Sequence, residues 1–169
     1  VVCLFAASTA FAQPAGGGSS PITAGIRSAY ETAKNNITKA ADQVPENLYA
    51  FKATPDVRSL GQLFGHVANS NYMICGAASG QKGPGIDIEK TMSAKADLVK
   101  ALGESFAFCD KVYAGMTDAE GAKTVQFFGG QQATLSVLAF NNMHDYEHYG
   151  NIVTYMRLNK LVPPSSQGR

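Results

Sequence analysis

Three histidines are the whole imidazole complement of this 169-residue chain. Two of them stand four apart in Asn141-Asn142-Met143-His144-Asp145-Tyr146-Glu147-His148. On a helix that interval points both rings in nearly the same direction, so they can approach one ion from one side. The third, His66, lies in an apolar run beside Phe64 and Val67. It supplies a third nitrogen if its helix faces the helix carrying the pair. Three neutral imidazoles suit zinc or nickel, and also iron or copper, and they leave at least one coordination position for water or a small molecule. A divalent transition metal with an open position lowers the pKa of a bound ligand or polarises a bond. The competing reading is plain: helix histidines often satisfy a buried hydrogen bond or lie exposed, and an i,i+4 pair alone is not specific.

Polar neighbours at helical spacing are candidates to orient these rings or hold a ligand water. Asn141 precedes His144 by three positions, and Gln62 and Asn69 flank His66 by minus four and plus three. Capping or unrelated hydrogen bonds would account for them equally. Asp145 and Glu147 are offset from the histidine face and are poor direct ligands. Tyr72 and Tyr155 can line a cavity near the ion, or simply pack with the phenol edge exposed. Cys75 stands more than two helical turns beyond His66, too far for a fourth ligand. No serine or cysteine triad accompanies the histidines. The glycines at 16–18 and 80–85 lack the strand, loop and Gly-Lys-Ser/Thr ending of a phosphate loop, so a catalytic residue beyond the metal set is not read from the sequence.

The elements that must position the triad are helical. Apolar residues recur at intervals of three and four over 21–43 (Ile22, Ile26, Ala29, Ala33, Ile37, Ala40), and Pro45 stops the pattern. Ser19 or Ser20 can cap this helix, with Pro21 in its first turn. A second helix is predicted from near 56 to 78, carrying Leu60, Leu63, Phe64, Val67 and Ile74. Its Gly61, Gly65 and Gly76 cost helix stability but admit close packing. A loop at 79–85 leads to a third helix over 87–114, with Ile88, Met92, Ala96, Val99, Leu102, Phe106 and Val112 or Tyr113 buried. Residues 117–130 connect to a fourth helix at 131–160; within them the run 124–128 has extended character, with Phe127 and Phe128 packing back on the bundle. Pro163 and Pro164 end the pattern. The fold class is therefore all-α, a four-helix bundle over residues 21–162, followed by a polar tail at 163–169.

Apolar residues make up 45% and charged residues 16%, a balance that argues against disorder. A net charge of +1 without a basic cluster argues against nucleic-acid binding. Residues 1–12 are uncharged and end in Ala10-Phe11-Ala12, which fits signal-peptidase cleavage after Ala12. Without the usual basic segment and Met the run reads as a signal-peptide remnant, and 13–20 as a flexible leader. The expectation is an exported, periplasmic protein with no membrane-spanning segment in its mature part. Cys3 falls in the signal, leaving Cys75 and Cys109. In an oxidising compartment that pair invites a disulfide; two buried free cysteines are the alternative.

Three stretches together resemble the DinB-like (DinB/YfiT-like) family of metal-dependent four-helix proteins. They are Pro55-Asp56-Val57-Arg58-Ser59-Leu60-Gly61-Gln62-Leu63-Phe64-Gly65-His66-Val67-Ala68, the run from His144 to Ile152, and the run from Thr154 to Ser165. The resemblance spans about residues 21–166 and puts the family's three ligands on His66, His144 and His148. It implies a long link between the second and third helices, whereas the link read here is short, near 79–87. It also implies that homodimers are common, and that Arg58 and Arg157 anchor loops or helix ends. Some relatives are thiol-S-transferases or thiol-dependent isomerases in which the metal activates a low-molecular-weight thiol. The resulting expectation is a metal-binding protein acting as a hydrolase or thiol-S-transferase on a small molecule at the open position. The alternative is a non-catalytic metal-binding or stress-related interaction protein.

Overall fold

A computed structural model describes residues 20–168; the expected signal, most of the leader and Cys3 lie outside those residues. Helix α1, Pro21–Gln43, opens with proline at its first position and buries Thr23, Tyr30, Ala33, Ile37, Ala40 and Ala41. Ile22, expected in this stripe, is 62% exposed. Ser20 occupies the N-cap without a side-chain capping bond. Asp118, remote in sequence, caps instead: its carboxylate accepts from Thr23 N–H at 2.8 Å and from the Thr23 hydroxyl.

Helix α2, Leu60–Ser79, starts later than expected because Ser59 and Gln62 form a capping box, which fixes the first turn there. Gly80 ends it with φ 71°, the left-handed conformation glycine adopts without steric cost. The expected third helix is split in two. A single turn, α3 (Ile88–Thr91), is capped by Asp87, and after extended backbone at Met92 and Ala94 the chain re-enters helix as α4, Lys95–Gly115. The register consequently differs from the expected one: Leu98 is buried, while Ala96 is exposed. Another single turn, α5 (Asp118–Gly121), precedes a two-stranded antiparallel hairpin, β1 (Thr124–Phe127) and β2 (Gly130–Ala133), in which Thr124 faces Ala133. The last helix, α6 (Thr134–Leu158), starts three residues later than expected because Gln131–Ala133 are paired in β2.

Helices α1, α2, α4 and α6 form the bundle. Both α1 and α2 pack against α4 and α6, so the first two helices stand diagonally and the 44–59 connection crosses one end. Tyr49 pins that crossing: it is buried, and its hydroxyl donates to Ala41 O at 2.7 Å. The link from α2 to α4 is longer than the sequence pattern gave, because α3 belongs to it rather than to the bundle. Cys75 on α2 and Cys109 on α4 are joined through sulfur inside the core. After α6, Pro163 is buried, and a turn of 3-10 helix, Pro164–Ser166, packs on α1 and is tied to α6 where the Tyr149 hydroxyl donates to Ser165 Oγ at 2.9 Å. Among the described residues no helix is long and apolar enough to cross a membrane.

Candidate metal centre

Because α2 and α6 are direct neighbours, the ring on α2 meets the pair on α6. One ligand atom from each of His66, His144 and His148 lies within 4.8 Å of the others. The His144 and His148 Nε2 atoms are 3.1 Å apart. Ring centroids are 5.2 Å (His66 to His144), 4.6 Å (His66 to His148) and 4.4 Å (His144 to His148). Nitrogens bound tetrahedrally at about 2.0–2.1 Å sit roughly 3.3 Å from one another, so one pair already has ligand spacing and the third needs only a small ring movement. The donor set therefore fits a divalent transition metal.

The far side of each ring differs. His66 Nδ1 lies 2.9 Å from Glu89 Oε2. An ionised carboxylate can only accept, so Nδ1 is the donor in this contact, and Nε2 is the nitrogen that the neutral ring would offer to an ion. The other carboxylate oxygen of Glu89 accepts from Arg58 Nε at 2.7 Å. Burial pushes the Glu89 carboxyl up, but the hydrogen bonds from Arg58 and His66 outweigh it and hold it below the ordinary range. The Asn151 amide is 3.4 Å from His148 Nδ1, whereas His144 Nδ1 is buried without a hydrogen-bond partner. Burial first, then the adjacent His144 and His66 rings, pull His148 down to about 3. His144 is lowered for the same reasons, burial ahead of His66. Both rings are thus neutral at neutral pH, the state a metal requires.

Three of the expected neighbours serve elsewhere. Gln62 is spent on the capping box, its side chain accepting from Ser59 N–H at 2.8 Å. Asn69 holds α3: it donates to Asp87 Oδ1 at 2.8 Å and accepts from Ile88 N–H at 2.9 Å. Asn141 donates to Asp145 Oδ2 at 3.3 Å inside the core. Asp145 is indeed turned from the histidine face; it is fully buried, and burial raises its carboxyl well above the usual range. Tyr72 packs on Phe108 beside a surface cavity of about 770 Å³ whose lining includes none of the histidines. Tyr155 is nearer: its hydroxyl donates to Arg58 O at 2.8 Å, and it lines a cavity of about 540 Å³ with Arg58, Leu63, Glu89 and Asn151. The residues that reach the histidines, Glu89 and Asn151, were not among those expected. Asn151 follows His148 by three positions, so helical spacing could have flagged it. Glu89 is 23 residues from His66 and only the folding back of α3 brings it there.

The model of the DinB superfamily matches residues 29–152, a span that contains all three histidines. A DinB-like protein of Bacillus cereus has the same fold, with a TM-score of 0.71 at 17% identity over 83% of this chain and 95% of that one. A DinB-like protein of Bacillus subtilis gives 0.68 at 18% identity over 86% and 99%. No curated protein matches the sequence.

Proposed function

Since this chain belongs to the DinB superfamily, we propose that it holds one divalent transition-metal ion on His66, His144 and His148, zinc or nickel ahead of iron or copper, and turns over a small molecule there. The observation that carries this reading is the convergence of three imidazole nitrogens within 4.8 Å. An ion so held supplies Lewis-acid activation of a water or thiol, which is hydrolase or thiol-transferase chemistry. The chain's own part is to present neutral rings. Burial keeps His144 and His148 unprotonated, and ionised Glu89 fixes the proton of His66 on the outer nitrogen. The cavity bounded by Arg58, Glu89, Asn151 and Tyr155 lies against the outer partners of the rings and is lined by none of the histidines, so the enzymatic reading rests on the coordination position that three imidazoles leave open.

Export belongs to the same reading. The apolar run at 1–12 and the joined Cys75 and Cys109 support a compartment where disulfides persist. That favours water over a cytoplasmic low-molecular-weight thiol as the activated group. Elemental analysis of the purified protein and of His148→Ala tests the metal: near-stoichiometric content in the parent and strong loss in the variant are expected, and equal content in both refutes the site. Metal-loaded and metal-free protein are then compared on ester, amide and thiol-plus-electrophile substrates; equal rates would refute metal-dependent turnover on them.

A further inference from the structure

The one-turn helix α3 lies against α2 at Gly65, and this contact decides where Glu89 stands. A Cβ built on Gly65 would sit 2.8 Å from Glu89 Cα and 3.1 Å from Glu89 N. Both are backbone atoms and cannot rotate aside. One helical turn further along the same face of α2, Asn69 grips the same turn through Ile88 N–H and the Asp87 carboxylate. Glu89 is thereby held with one oxygen on His66 Nδ1 and the other on Arg58, and the Arg58 backbone is itself pinned by the Tyr155 hydroxyl.

Resting on the metal reading above, we infer that Gly65 and Glu89 form a tautomer lock. Glycine lets α3 approach closely enough for Glu89 to accept a hydrogen bond from Nδ1–H of the neutral His66 ring, which keeps the proton on Nδ1 and leaves Nε2 as the nitrogen for the triad. Glu89 and Gly65 are positioning residues, neither of them a ligand. A methyl group at position 65 needs about 0.7 Å of extra room to reach ordinary carbon–carbon contact. If α3 yields, the 2.9 Å bond from His66 to Glu89 lengthens past hydrogen-bonding range. Nothing then holds the proton on Nδ1 of His66, the Nε2–H tautomer that free histidine favours is populated, and the ring loses the acceptor that sets its direction. Removal of such an outer partner weakens metal binding by about 10–100-fold.

The test reads the tautomer directly. Nitrogen-15 NMR of the imidazoles in the metal-free, full-length protein, at a pH where the rings are neutral, should show His66 as the Nδ1–H form. Glu89→Ala and Gly65→Ala should each give a mixture of tautomers, while Gly103→Ala, whose Cβ meets nothing within 4 Å, should leave the parent spectrum. Zinc affinity by chelator competition should fall about 10–100-fold in both variants. The double variant should be no weaker than the weaker single one, because both remove the same bond. His66 remaining Nδ1–H in Glu89→Ala overturns the lock, and so does multiplicative loss in the double variant. Asn69→Ala, which frees α3 without touching α2 packing, replaces Gly65→Ala if the latter does not fold, with the same mixture expected. A parent that binds none of zinc, nickel, iron and copper refutes the metal reading, and the tautomer spectra still judge the lock.

Discussion

Breaking the Cys75–Cys109 cross-link should cost this fold a large part of its stability. The bond joins α2 to α4 across 34 residues, a segment that includes α3 with Glu89. In the loop-closure account, a cross-link of that span removes unfolded-chain entropy worth about 4 kcal/mol at room temperature. A domain of this size unfolds with a urea dependence of about 2 kcal/mol per molar, so the midpoint should drop by roughly 2 M when both cysteines become alanine. Neither cysteine exposes any surface in the folded state. A reductant should therefore act on the native protein only as fast as the chain opens. The assay is urea unfolding of the parent, oxidised and after reduction in denaturant, beside the Cys75→Ala/Cys109→Ala variant, with intact mass as the bond count. Equal midpoints for oxidised and reduced parent, or two free thiols in the protein as purified, would refute the reasoning.

The hairpin loop places Phe128 at φ 44° before Gly129 at 81°. A left-handed residue with a side chain costs about 1–2 kcal/mol, so Phe128→Gly should be more stable than Phe128→Ala by about 1 kcal/mol in urea unfolding, the reverse of the usual order. Asp118, held below its ordinary pKa first by the Thr23 hydroxyl and then by the Thr23 N–H, contributes stability present above the unfolded value of about 3.9 and lost as pH falls through its folded value. Asp118→Ala should thus lower Tm at neutral pH, and the difference should begin to shrink near pH about 4 and vanish only in stronger acid, below the folded pKa; a difference that persists there would count against it. For the buried rings the folded pKa is again the lower one, about 3 for His148. Between that value and the unfolded value of about 6.5 the unfolded chain binds more protons. Metal-free protein should therefore lose stability as pH falls through that window, and a His144→Gln/His148→Gln variant should show a flatter profile of urea midpoints against pH.

Much of this was legible from residue spacing, because a helix is a local structure. The interval of four between His144 and His148 put both rings on one face before any tertiary contact was known. The apolar stripes and prolines marked the bundle's four long helices, whereas the Ser59–Gln62 capping box that sets the start of α2 was not read from the sequence, although its partners lie within one turn. The misplaced expectations share a cause. Gln62, Asn69 and Asn141 have helical spacing from the histidines, yet each is claimed by a nearer or better hydrogen-bond partner: the Ser59 N–H, the α3 turn and buried Asp145. Glu89 and Asp118 act on residues far away in the chain, and periodicity carries no record of such pairings. Only the packing of α2 against α6, which brings His66 to the pair, and the close seat of α3 on Gly65, which brings Glu89 to His66, decide the centre. Both depend on which faces the folded chain buries together, and on the one position in that seat where a side chain would not fit.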